Sequence, residues 1–329
     1  MMRIMNWTAL LLLTTLLAAC GAKDAGKGGT SPGNTDGMPK AAASGNATAE
    51  EVAEEARGDV DCPADIDTPA RAASAPVDDV VGVRPGLTYE EAANVVMCTS
   101  ELMVITADNS RSFNMQTYGQ TIRQGFNARP AKPRIEKTSK QIMQEMQDDM
   151  IARGGNARRQ DMQPGESKWY VGTMGMPGQE RVINAAREEW FAEGRNPTVA
   201  SVEQALQKKY GTVTRSQKSG GNVYLSWAYD PLSRPITETS PLFSQCSNGQ
   251  ASPDAGVNLS PDCGILVTAQ IMPTTDNPEL AKILQVGIVN QAGGYDAITA
   301  TEQSLQQLDN ARKAKQVEEA GKNADAPQL

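Results

Sequence analysis

Apolar and polar positions divide the chain into three stretches. Residues 7–17 are apolar apart from threonines, residues 21–60 carry almost no large apolar side chain, and from residue 61 onward apolar positions recur with helical and strand periods. Within the third stretch, Thr88 and Glu91 make a T-x-x-E capping box, with Leu87 placed to staple onto Ala92. Ala92, Val95, Val96 and Cys98 then fall on one face. The spacing of Ile142, Met143, Met146, Met150 and Ile151 predicts a helix over 137–155 with these residues inward and Gly154 as its stop. Residues 178–194 read as an amphipathic helix with Val182, Ala185, Ala186, Trp190 and Phe191 inward. Residues 197–211 read as another, with Val199, Val202, Ala205 and Leu206 inward. A long final helix over 295–320 carries a thin stripe of Ile298, Leu305, Leu308, Ala311 and Val317.

Strand periods appear at 167–176 and 222–230, and most clearly at 264–272 and 281–291, which the loop between Pro273 and Pro278 joins as a hairpin. Residues 101–106 extend the preceding helix or start a strand, and 112–128 alternate as a further hairpin. Helices and strands mix without a regular βαβ order. The expected class is therefore α+β, a mainly antiparallel sheet packed with several amphipathic helices. Gly86-Leu87-Thr88 opens one helix and Asn196-Pro197-Thr198 another, each followed by strand-like sequence, which suggests an internal repeat. The expected layout is a leader over 1–19, a flexible disordered tether over 20–60, an α+β domain over 61–320 and a disordered tail over 321–329. The domain has room for two subdomains, about 61–165 and 166–320.

The tether follows from composition: Gly, Ala, Ser and Asn bury too little surface to offset their ordering entropy. Only 47–57 has the pattern of a short helix within it. As a flexible coil its 40 residues reach about 35 Å root-mean-square. The net charge is −8, and −9 once Arg3 leaves with the leader. An acidic surface gains nothing from counterion release on nucleic acid and is repelled by anionic lipid. Nucleic-acid binding is not expected.

Residues 16–20 read Leu-Leu-Ala-Ala-Cys, after a short n-region holding Arg3 and an apolar h-region. Over residues 1–20 the chain resembles the signal peptide and lipobox of bacterial lipoproteins. The resemblance implies cleavage before Cys20 and acylation of Cys20, palmitate included, as the mature N-terminus. Two or more acyl chains anchor stably. Gly21, with no aspartate after the cysteine, implies sorting to the outer membrane, facing the periplasm. Removing Cys20 leaves Cys62, Cys98, Cys246 and Cys263, an even set that reads as two disulfides in an oxidising compartment. Of the three connectivities, Cys62–Cys98 with Cys246–Cys263 closes the most local loops. A second, short resemblance lies at 82–96: "VGVRPGLTYEEA" is similar to the turn-and-helix signature of SmpA/OmlA-type outer-membrane assembly lipoproteins, in which a capped helix precedes a small antiparallel sheet. The glycine that this family carries after the helix is replaced near Cys98.

The chain has no histidine, so Ser-His-Asp and Cys-His nucleophiles and His-ligated metals are excluded. No metal site and no cofactor is expected. Glu189 with Glu193 and Glu90 with Glu91 read as solvated helix faces, and Asp59, Asp61, Asp65 and Asp67 as an acidic linker without EF-hand spacing. The methionines of 137–155 read as core rather than as thioether ligands for Cu(I). Trp169-Tyr170, Trp190-Phe191 and Trp227-Tyr229 read as core aromatics. No catalytic residue is assigned. The leading expectation is a non-catalytic binding or scaffold module of the cell envelope, held at the membrane by its lipid and serving an envelope protein partner. The alternatives are an inhibitor or immunity-type lipoprotein against a periplasmic hydrolase, and an outer-membrane assembly accessory of SmpA type. A carboxylate-dependent glycan hydrolase stands behind these.

Overall fold

A computed structural model describes residues 45–108, 113, 115–153, 162–249 and 252–323. The expected signal peptide, Cys20 and most of the expected tether lie outside the described residues, as does the tail beyond 323. Fourteen elements follow one another: α1 (Ala49–Arg57), α2 (Tyr89–Met97), β1 (Met103–Ala107), β2 (Gly125–Pro130), α3 (Ser139–Arg153), β3 (Ser167–Met174), β4 (Arg181–Trp190), α4 (Val199–Tyr210), β5 (Arg215–Ser219), β6 (Asn222–Ala228), α5 (Phe243–Cys246), β7 (Ile265–Pro273), β8 (Ala281–Asn290) and α6 (Gln291–Asn323). The strands form one antiparallel sheet in the order β1-β2-β3-β4-β8-β7-β6-β5. The fold is α+β.

The order of the sheet exposes a duplication. A helix and a four-strand meander, α2-β1-β2-β3-β4, recur as α4-β5-β6-β7-β8, and the halves join through their last strands. Each helix starts the same way. Thr88 and Thr198 sit in extended conformation and their hydroxyls accept the N–H of Glu91 and Ser201. Each capping threonine also bridges the start of its own last strand, Thr88 to Arg181 and Thr198 to Leu280. At this point the repeats are offset by 99 residues, Leu280 against Arg181. Arg187 of β4 pairs with Val286 of β8, its counterpart at the same offset. The local two-fold axis therefore passes through that pair.

The two cap helices cover one face of the sheet. Ala92, Val96, Val202, Leu206 and Tyr210 bury there against Phe126, Trp169, Val171, Leu225, Trp227, Val267 and Ile271. Trp227 donates its indole N–H to the Gly211 carbonyl at 2.9 Å, and its ring lies 5.2 Å from that of Tyr210. The sequence pairs of aromatics are thus separated: Trp169 and Trp227 belong to this core, while Trp190 points to the opposite face with Glu188.

Five expectations are corrected. Residues 181–190 are the central strand β4, not a helix. The strand is buried on both faces, so its apolar residues lose the alternation that marks a half-exposed strand. Residues 115–124 are not strand, and β2 pairs with β1 at 103–107 rather than with a strand inside 112–119; of that expected hairpin, 112 and 114 lie outside the described residues. Helix α3 exists, but Ile142, Met143 and Met146 are exposed, with Met143 at 72 %, so they fill no core. Leu308 and Val317 of α6 are also exposed, whereas Leu305 is buried. The folded part reaches into the expected tether as well. Helix α1 has its own capping box at Thr48 and Glu51. It is tied down by Arg134 on Glu55 and by Arg57 on the Ser100 carbonyl.

Candidate functional site

The face of the sheet opposite α2 and α4 carries the unusual chemistry. In an antiparallel ladder, directly paired residues point to the same side. Successive pairs place Gln217, Tyr224, Gln270, Gln285, Glu188 and Lys168 in one straight row across β5, β6, β7, β8, β4 and β3. A second row beside it runs Arg215, Ser226, Thr268, Gly287, Ala186, Tyr170 and Asn127. Much of this face is buried, yet polar residues dominate its centre. The small Gly287 and Ala186 leave a trough between the larger side chains.

The two ends of the first row differ. At one end Glu188 is saturated. It accepts from the indole N–H of Trp190 at 2.8 Å and from the Gln285 amide, and Lys168 Nζ lies 3.7 Å away. Lys168 bonds Asp254 as well. Both Glu188 oxygens and the Lys168 ammonium are engaged by neighbours, and this buried pair acts as a structural tie. At the other end the row is neutral. Gln270 donates to the Tyr224 hydroxyl at 3.3 Å.

The β6–β7 connection folds over this neutral end. A Cβ added to Gly249 would stand 2.7 Å from Leu266 Cδ2 and 3.3 Å from Thr268 Cγ2, so its backbone rests directly on β7. Asn248 accepts from Arg215 of β5, and Asp254 reaches Lys168 of β3. The Cys246–Cys263 disulfide, S–S 1.99 Å, closes the base of the connection beside Leu266, Val289 and Ile236. Two cavities flank the covering segment. One of about 480 Å³ opens over Ser226, Thr268, Gln270 and Gln285, and one of about 520 Å³ over Tyr170, Asn184 and Gly287. Ser226, Ser247 and Asn184 are at least nine-tenths buried, and Ser226 Oγ, Ser247 Oγ and Asn184 Oδ1 find no hydrogen-bond partner among the described residues.

The helix face holds a third, apolar cleft of about 450 Å³ beside α4, lined by Val81, Phe191, Leu206 and Val286. Arg187 forms part of it, bonded to Glu189 and facing the Trp169 ring at 5.7 Å.

Of the residues singled out in the sequence, Cys62 and Cys98 are bonded, S–S 2.10 Å, as are Cys246 and Cys263; the two pairs are the local ones. Cys20 lies outside the described residues. Glu189 is an ion-pair partner on β4, distant in role from Glu193 in the following turn. Glu90 pairs with Arg123, and Glu91 accepts from Thr68 and Thr88. Burial raises the pKa of Glu91, but these donors outweigh it and hold the carboxyl at about 2. Among the described residues, no group of three or more Cys, Asp or Glu is placed to hold a metal. No helix among them is long and apolar enough to cross a membrane. Sequence reasoning missed the polar rows, because they depend on the register between strands far apart in the chain. No family model, curated protein sequence or solved structure matches this chain.

Proposed function

We propose that this chain is a lipid-anchored protein of the bacterial envelope, held at the outer membrane through Cys20 and acting as a non-catalytic binding module on the periplasmic side. The observation that supports the binding role is the furrow on the sheet, where two cavities are lined by Ser226, Ser247 and Asn184, whose buried hydroxyl and amide oxygens lack partners among the described residues. Such groups cost free energy in a fold that serves only stability. The lipobox pattern of residues 16–20 supports the anchor, and two disulfides support an oxidising compartment. Intact mass and membrane fractionation of the native protein beside Cys20→Ala test the anchor. Acyl mass and outer-membrane sedimentation are expected for the native protein alone, and a soluble, unmodified native protein refutes it. Crosslinking in intact cells tests for a protein partner, and recovery of abundant envelope proteins alone refutes one.

An outer-membrane assembly accessory is the second reading. It is favoured by the capped helix α2, which leads into a small antiparallel meander after the 82–96 segment. Deletion is then expected to lower outer-membrane protein levels and raise detergent sensitivity, and unchanged values refute it.

A further inference from the structure

We infer that the neutral end of the furrow, between β5–β8 and the disulfide-closed β6–β7 connection, is a binding site for a short neutral oligosaccharide. The inference deepens the binding-module reading by naming a ligand class for this face. The size fits: about 480 Å³ lies within the range of small-molecule sites. The chemistry is more specific. Gln217, Gln270 and Gln285 offer amides, and Ser226, Ser247 and Thr268 offer hydroxyls. Each of these groups both donates and accepts, and so does each hydroxyl of a sugar. Ser226 and Ser247 are 4 % and 3 % exposed and have no partner for their hydroxyls among the described residues. Both line the cavity, one from β6 and one from the covering segment, so a small side-chain rotation turns each hydroxyl toward a ligand.

Other ligand classes fit less well. The one charged group lining the cavity, Arg215, lies on the edge strand β5, and the rest of the lining is neutral. A net charge of −8 disfavours polyanions. An apolar ligand would bury the serine and glutamine groups unpaired, at about 1–3 kcal/mol each. Tyr224, 38 % exposed, holds its hydroxyl toward Gln270 and Asn222 and leaves ring surface at the mouth for the C–H face of a pyranose. The row from Gln217 to Gln285 crosses four strands, a span of about 14 Å at the usual strand spacing. Polar side chains spaced along that length suit an extended chain of sugar units better than a single ring.

The test uses the full folded chain with its leader removed and Cys20→Ser for solubility. Its probes are chitotriose and cellotriose, read by saturation-transfer NMR and calorimetry. Saturable binding of at least one probe is expected. Binding is expected to weaken at least tenfold in Gln270→Leu and in Ser226→Val, with unchanged binding in the distant surface variant Glu145→Gln. Melting temperatures accompany each variant. If Ser226→Val fails to fold, the more exposed Gln270→Leu decides. Absence of transfer to both probes overturns the inference, as does binding that survives Gln270→Leu in a folded protein. Neither outcome bears on acylation of Cys20 or on capture of a protein partner, so the two readings fail separately.

Discussion

Glu91 joins three segments, and removing its charge measures what that junction contributes. Its carboxylate accepts the Thr68 N–H at 2.7 Å, the Thr68 hydroxyl at 2.5 Å and the Thr88 N–H at 2.8 Å, while being only 9 % exposed. It thereby closes the α2 capping box and pins the 60s segment to the helix start. A carboxyl ordinarily near 4.5 and held at about 2 contributes about 3 kcal/mol to folding above both values. The sign follows from the depressed value. The contribution is complete above about pH 5.5 and is lost as the pH falls toward 2. By pH 3, with the unfolded chain protonated and the native carboxyl still ionised, about 2 kcal/mol of it is gone. In Glu91→Gln one oxygen becomes an NH₂ facing N–H and O–H donors. The variant is expected to lose about 2–3 kcal/mol at pH 7, a fall in melting temperature of about 4–10 °C for a domain of this size. Guanidinium titrations of both proteins from pH 7 to pH 3 provide the assay. The stability gap between them is expected to shrink by about 2 kcal/mol over that range. A gap that keeps its full size down to pH 3 refutes the argument.

Three further outcomes follow from the packing. Lys168→Met leaves the buried Glu188 without its cation and is expected to cost about 3–5 kcal/mol, most of it recovered in Lys168→Met with Glu188→Gln; a double-mutant cycle in urea reads the coupling. Loss of Cys246–Cys263, whose cysteines lie 17 apart, is expected to cost about 3 kcal/mol, and loss of Cys62–Cys98, 36 apart, about 4. Denaturation of the paired Cys→Ser variants checks the order. Gly125→Ala places a Cβ 2.4 Å from the Val171 carbonyl oxygen at φ +148°, so β2 must shift off β3. It is expected to cost more than about 2 kcal/mol, whereas Gly256→Ala, with nothing within 4 Å, stays within about 0.5; thermal melts separate the two.

The parts of this fold that were legible are those whose signal is local. Thr88 and Glu91 announce α2 because a capping box is complete within four residues. The strands β7 and β8 are legible because their β-branched runs flank a proline-bounded loop. The duplication shows faintly in the sequence, since both repeats start on a threonine cap. Strand β4 was not legible. Its polar residues Asn184 and Glu188 face a polar interior, so the strand alternates between two buried environments. "AAREEW" also favours a helix by propensity. Strand β5 is a short, charged edge that blunts further pairing. The Gly220-Gly221 turn before β6 was its available signal. The furrow depends on register: Gln217 and Lys168 share a row only because five strand pairings align them.

The two repeats share a topology but differ in their connections, and the difference places the proposed binding face. In the first repeat the β2–β3 connection carries α3, whose Met143 and Met146 are exposed. In the second repeat the corresponding β6–β7 connection is cross-linked at its base and laid across the sheet from β7 to β3. Duplication by itself yields equivalent connections. Closing one of them with a disulfide costs chain freedom and places Gly249 where a Cβ would collide with β7. The connection sets Leu242, Phe243, Val257 and Leu259 into the cluster around Leu266 and Val289. It also sets Ser247, Asn248 and Ser252 over Ser226, Thr268 and Gln270, leaving a polar cavity beneath. The duplicated sheet supplies the floor of both cavities, and the asymmetric connection sets the one proposed as a binding site over the second repeat.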